Sequence, residues 1–259
     1  MANVNYKIDE RLLSSFINFY GEENQNYIIK LFSNPQIIWY DNKPYFEGED
    51  IHNHIITNIP NEKLNKYLSA RKKSAFLNSC FIDEFNLLVL PQNGDLTQIS
   101  HEVNHMVGSH ILSLEPLKII NGISVMLEKN SGVHEINGFL NEAINQMMIT
   151  EILNSINVPV APSWQEKIFP LVEYFYITFK EEIKKIYIDG NLYEFINNVG
   201  IDNFEELSQL IFMKVFRIRN SIRKGEEPQI RKEDINKIEE IVNKMKTNYR
   251  QKESLGNEK

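Results

Sequence analysis

Over residues 8–19 and 24–33 the apolar positions recur every three or four residues, which predicts two amphipathic helices. Between Gln36 and Asp83 the texture changes to short apolar runs, IIWY, HIITNI and SAFLNSCFI, separated by Asn, Pro and Gly. Runs of that kind predict strands. The clearest strand is Asn86 to Pro91, NLLVLP, closed by its proline. Pro91-Gln-Asn-Gly94 reads as a turn, and Asp95 as the N-cap of a helix with Gln98 at the capping-box position. One further strand-like piece, IINGISVML, covers 119–127. From Phe139 onward the period is almost wholly helical, over about 139–155, 164–187, 191–198, 203–220 and 232–248. The expectation is an α+β fold in one domain spanning 1–259. An N-terminal mixed α/β lobe over about 1–115 has an antiparallel-edged sheet, and the lobe over about 116–259 is mainly helical.

Composition narrows the class. With 42% hydrophobic and 24% charged residues, the 259-residue chain has material for a sizeable core, which excludes disorder and collagen-like repeats. A formal charge of −7 argues against nucleic acid as the partner of the whole chain. Residues 217–259 hold 12 basic and 8 acidic groups, but the signs interleave as on a solvated helix face. Cys80 is the only cysteine, so neither an intrachain disulfide nor a thiolate metal cluster can form. The N-terminal sequence lacks a basic region ahead of a long apolar run, and no stretch reaches the length of a membrane span. A cytoplasmic location is the expectation.

The chemistry concentrates in His101-Glu102-Val103-Asn104-His105, an H-E-x-x-H sequence on the helix that Asp95 opens. Two histidines four residues apart on a helix lie about 40° apart and one turn above one another, placed to share one Zn²⁺. Composition alone produces the motif in about 1% of chains of this make-up, so its context decides. Leu96, Ile99, Val103, Met106 and Val107 form one apolar stripe, and His101 and His105 stand about 170° from its centre. The helix is expected to bury one face and turn both histidines elsewhere.

A zinc site needs a third protein ligand. Glu115, Glu128, Glu135, Glu142 and His134 are the downstream candidates. Glu142 stands out because its segment, 139–149, is apolar almost all round, and a carboxylate buried there needs a cation or a hydrogen-bonding partner. The plain alternative is pairing with an Arg or Lys of another helix. Gln146, one turn further along, can accept a hydrogen bond from a ligand histidine. His52 and His54 share one strand face in HNHII, and His110 follows the motif helix. The pair Met147-Met148 reads as core.

H-E-x-x-H on one helix with Asn-Glu on a later one resembles the gluzincin group of zinc metallopeptidases, and also uncharacterised zincin-like proteins of low-GC bacteria. The similar part covers roughly 85–150. The resemblance implies a zincin-like fold, one Zn²⁺ per chain held by His101, His105 and Glu142, and Glu102 acting on the attacking water. Two positions depart from the pattern: Gln146 stands where gluzincins commonly have an acid, and the residue stabilising the reacting oxyanion has no clear match. His134 and the tyrosines of Tyr174-Phe-Tyr176 are candidates for that role. Asn86 to Pro91 resembles the zincin edge strand, on which an extended peptide adds by backbone pairing. The resulting expectation is zinc-dependent hydrolysis of a peptide or protein substrate. The alternative is a zincin fold kept only for binding or scaffolding, which Gln146 and the missing oxyanion donor favour and the intact Glu102 opposes.

Overall fold

The computed structural model describes residues 10–33, 36–40, 80–83, 87–91, 95–114, 116–129 and 132–256. Among them the fold is mixed α/β and mostly helical, with two small sheets. The helices α1 (Glu10–Tyr20) and α2 (Gln25–Ser33) come first, as the spacing predicts. Strands β1 (Gln36–Tyr40), β2 (Cys80–Ile82) and β3 (Leu87–Pro91) make one sheet in the order β1-β3-β2. β1 runs parallel to β3, with Ile38 opposite Val89, and β2 runs antiparallel to it, with Phe81 opposite Leu88.

This order corrects the expectation of an edge strand at Asn86 to Pro91. β3 is the centre of its sheet, with both hydrogen-bonding sides taken. Its unbroken apolar run is the physical reason: Leu87, Leu88, Val89 and Leu90 are all buried, as in a strand covered on both faces.

α3 (Leu96–Val107) follows and carries the motif. Next comes the second sheet, an antiparallel meander of β4 (Ser109–Leu114), β5 (Leu117–Asn121), β6 (Ser124–Lys129) and β7 (Gly132–Ile136). The run 119–127, expected as one strand, is the hairpin β5–β6. It turns at Gly122-Ile123, where Gly122 has φ +53°, a conformation that side-chain-bearing residues rarely adopt. β4 and β7 have no counterpart in the predicted elements, because β4 lacks a clean alternation and leaves Ile111, Leu112 and Leu114 exposed.

The uninterrupted helical run starts at α4 (Gly138–Ser155). The single helix expected over 164–187 is three pieces: a 3₁₀ turn at Trp164–Ile168, α5 (Phe169–Thr178) and α6 (Lys180–Asp189). Pro170 opens α5, where its missing N–H is no loss. Phe179, at φ −121° and ψ 27°, breaks the chain out of helical geometry before α6. α7 (Leu192–Val199), α8 (Ile201–Arg223) and α9 (Lys232–Gly256) complete the chain. No helix among the described residues is long and apolar enough to cross a membrane.

Two compact units emerge. One combines Met1–Ile119, Met126–His134 and Met148–Ala161; its core includes Phe16, Ile28, Leu88, Val103, Val107 and Ile152. The other combines Ile120–Val125, Glu135–Met147 and Pro162–Lys259. Phe175, Phe179, Phe195, Phe204 and Tyr249 form its aromatic centre, Phe195 lying 5.3 Å from Phe179 in an edge-to-face contact.

Candidate metal centre

α3 is positioned from several sides. The Asp95 carboxylate accepts the Gln98 N–H at 2.8 Å, satisfying one of the donors a helix N-terminus leaves open. Thr97 Oγ1 accepts the Ala161 N–H at 2.9 Å, and Tyr27 donates its hydroxyl to the Val107 carbonyl at 2.8 Å. Inside the motif, Asn104 is fully buried. Its Oδ1 accepts the Tyr20 hydroxyl at 2.6 Å, and its Nδ2 lies 3.8 Å from Met148 Sδ. These links tie α3 to α1 and α4. They also correct the expected single buried face, because residues 102–107 are buried all round.

His101 is half-buried and His105 is 7% exposed. Their Nε2 atoms approach to 3.2 Å with the rings inclined at 70°. Two unprotonated ring nitrogens repel at this distance, so either one carries a proton or both face a cation. Ligand nitrogens about 2.0–2.1 Å from one tetrahedral zinc ion stand about 3.3–3.4 Å apart, close to the separation found. Glu142 completes a set of three ligand atoms all within 4.8 Å of one another. Two imidazoles and a carboxylate with no thiolate are a donor set that fits zinc and other borderline divalent ions. The group can hold a metal ion. Glu102 lies outside it and is buried on the same helix.

α4 carries Glu142, and most of α4 is buried as its composition requires. Glu142 itself is half-buried, contrary to the expectation of a fully enclosed carboxylate. It borders a cleft of about 580 Å³ lined by Phe139, Leu140, Ile211, Phe212 and Met213 among others. The turn bearing Glu142 is fixed by its neighbour Asn141, whose Oδ1 accepts both the Ile123 N–H and the Tyr187 hydroxyl at 3.1 Å. Burial, and secondarily the negative charge of Glu142, push the Tyr187 phenol far above its ordinary pKa, so it remains a donor.

Arg219 is a second neighbour of Glu142. Its guanidinium lies over the Phe139 ring at 5.1 Å and the Trp164 ring at 5.0 Å. Burial and then the charge of Arg223 lower its pKa, while Glu142 opposes them. Asn104, Asn141, Tyr187 and Arg219 carry no local sequence signal. Each meets a partner tens of residues away, and only three-dimensional packing reveals the pairing.

The remaining candidates fall elsewhere. His134 is exposed on β7 and is not one of the three grouped residues. Gln146 is buried in α4, one turn beyond Glu142. His110 stacks on Tyr27 from β4, and Glu128 accepts the Leu117 N–H across the β5–β6 hairpin at 3.1 Å. Glu135 is exposed and lines the cleft. Tyr174 donates to Asn243 at 2.8 Å, and Tyr176 is buried. His52, His54, Glu115 and the turn at 92–94 lie outside the described residues.

Compared with protein-family models, with curated proteins and with solved structures, the chain finds no match.

Proposed function

We propose that the chain is a zinc-dependent peptidase. The observation that carries this reading is the convergence of His101, His105 and Glu142 with the buried Glu102 of the same helical motif. The three grouped residues would hold the ion. Zinc, when bound, supplies Lewis acidity, lowering the pKa of a coordinated water to about 7 and polarising a carbonyl oxygen. Glu102 sits about 100° around α3 from His101, so it reaches the attacking water without binding the metal. It takes the proton from that water and returns it to the departing amine, the work of a general base and then a general acid. Gln146 accepts the outer ring N–H of a ligand histidine, fixing its tautomer less strongly than a carboxylate would.

Metal analysis tests the site. Wild type should carry one zinc per chain, and His101→Ala and His105→Ala should lose most of it; full retention in both would remove the assignment. Glu102→Gln should keep zinc and fold while peptide hydrolysis falls at least ~10²-fold. Unchanged cleavage would reject the mechanism. A second reading, a metal-binding scaffold without catalysis, is favoured by the central position of β3, which leaves no edge there for a peptide to join. Its mark would be bound zinc with no zinc-dependent cleavage across a broad peptide library.

A further inference from the structure

Arg219 is held in an unusual way. Its guanidinium carbon lies 5.1 Å from the centre of the Phe139 ring and 5.0 Å from that of Trp164, in the corner of two rings set at 87° to each other. The two rings hold the cation in place, and a guanidinium so held is suited to take a carboxylate through its N–H groups. Arg223, four residues on, adds a second positive charge to the neighbourhood. Phe139 joins this cation to the cleft. Its ring carries Arg219, stacks on Phe212 at 5.7 Å, and lines the cleft that Glu142 borders. Phe212 stacks in turn on Phe216, and Phe212 and Phe216 are both more than half exposed. An apolar trough therefore runs beside the metal ligand and ends near a fixed cation.

We propose that this trough and Arg219 bind the C-terminal residue of a peptide, its apolar side chain against Phe139, Ile211 and Phe212 and its carboxylate on the Arg219 guanidinium. This rests on the peptidase reading and deepens it, because it makes the substrate a peptide with a free C-terminus. Hydrolysis then consumes one water per bond. Its oxygen joins the acyl carbon, the C–N bond breaks, and the amine of the terminal residue leaves with a proton.

Trp164 reports on Arg219 without any metal or catalysis. In a Trp39→Phe background Trp164 is the sole tryptophan, since the chain has two. Its emission is titrated with N-acetyl-Gly-Phe and with the same peptide as its C-terminal amide, no zinc added. The acid should bind at least ~10-fold more tightly than the amide. Arg219→Gln should abolish that preference, and Arg219→Lys should keep part of it. N-acetyl-Gly-Gly should bind more weakly than the Phe peptide, and inorganic phosphate should not displace the acid at equal concentration. Equal affinity for acid and amide in the Trp39→Phe protein or in wild type would overturn the proposal. So would a preserved preference in Arg219→Gln, equal binding of the Gly peptide, or displacement by phosphate. Failure of the peptidase reading looks different: the acid preference stands, yet no zinc-dependent release of the terminal residue occurs.

Discussion

A Cβ at Gly122 would lie 2.5 Å from both Asn141 Oδ1 and the Tyr187 ring, so this turn closes on its neighbours only because the residue is glycine. Gly122→Ala should lower stability by about 2–4 kcal/mol in urea denaturation, combining the positive φ with the collision. Gly122→Asn separates the two causes. Asn tolerates this φ but meets the same atoms, so it should be nearly as damaging if space dominates. Tyr187 offers a second check. An unfolded phenol ionises near pH ~10, while the folded one holds its proton well beyond that. The stability it contributes is complete below pH ~10 and declines as pH rises further, because only the unfolded state sheds the proton. Tyr187→Phe should cost about 1 kcal/mol at neutral pH and flatten the alkaline decline, measured by denaturation between pH 8 and 11. At this scale His101, Glu102 and His105 are legible in the sequence because their spacing is local. Tyr20 and Asn104 are not, since their separation of 84 positions in sequence conceals their contact.

Helix α3 shows how much of an element a sequence discloses. Its start at Asp95 is legible, because a cap needs only the next three residues. Asp95→Ala should cost about 1 kcal/mol in thermal denaturation. Its burial is not legible. The apolar stripe accounts for one side, whereas Asn104 draws the polar side inward through Tyr20. Tyr20→Phe would leave Asn104 Oδ1 without that donor and should cost about 1–3 kcal/mol, with weaker zinc retention in chelator competition if α3 shifts. The strand Leu87–Pro91 was readable as a strand but not in its place. Periodicity fixes which face of a strand is apolar, whereas lateral neighbours depend on chain segments far away in sequence. The hairpin at Gly122 was hidden by apolar residues on both sides of an Asn-Gly pair that is itself a turn signal.

Over the whole molecule, the helical character beyond Gly138 is plain in the 3.6-residue period, but the grouping of segments into two units is not. Each unit gathers pieces separated by the other, an arrangement set by packing rather than by any composition shift or linker. Phe195 touches Phe175, Phe179, Phe204 and Tyr249, and Phe195→Ala should cost about 3–5 kcal/mol of the stability of its unit, read by thermal unfolding. α4 is the element both units share, its first part to Met147 in one and the rest in the other. In its first part Asn141 takes both the Ile123 N–H and the Tyr187 hydroxyl, so the helix cannot rotate there without breaking two buried hydrogen bonds. The azimuth of Glu142, the next residue, is thereby keyed to its own unit. One alanine inserted between Asn141 and Glu142 would leave Asn141 in its seat and carry the carboxylate about 100° around the helix, away from the cleft it borders.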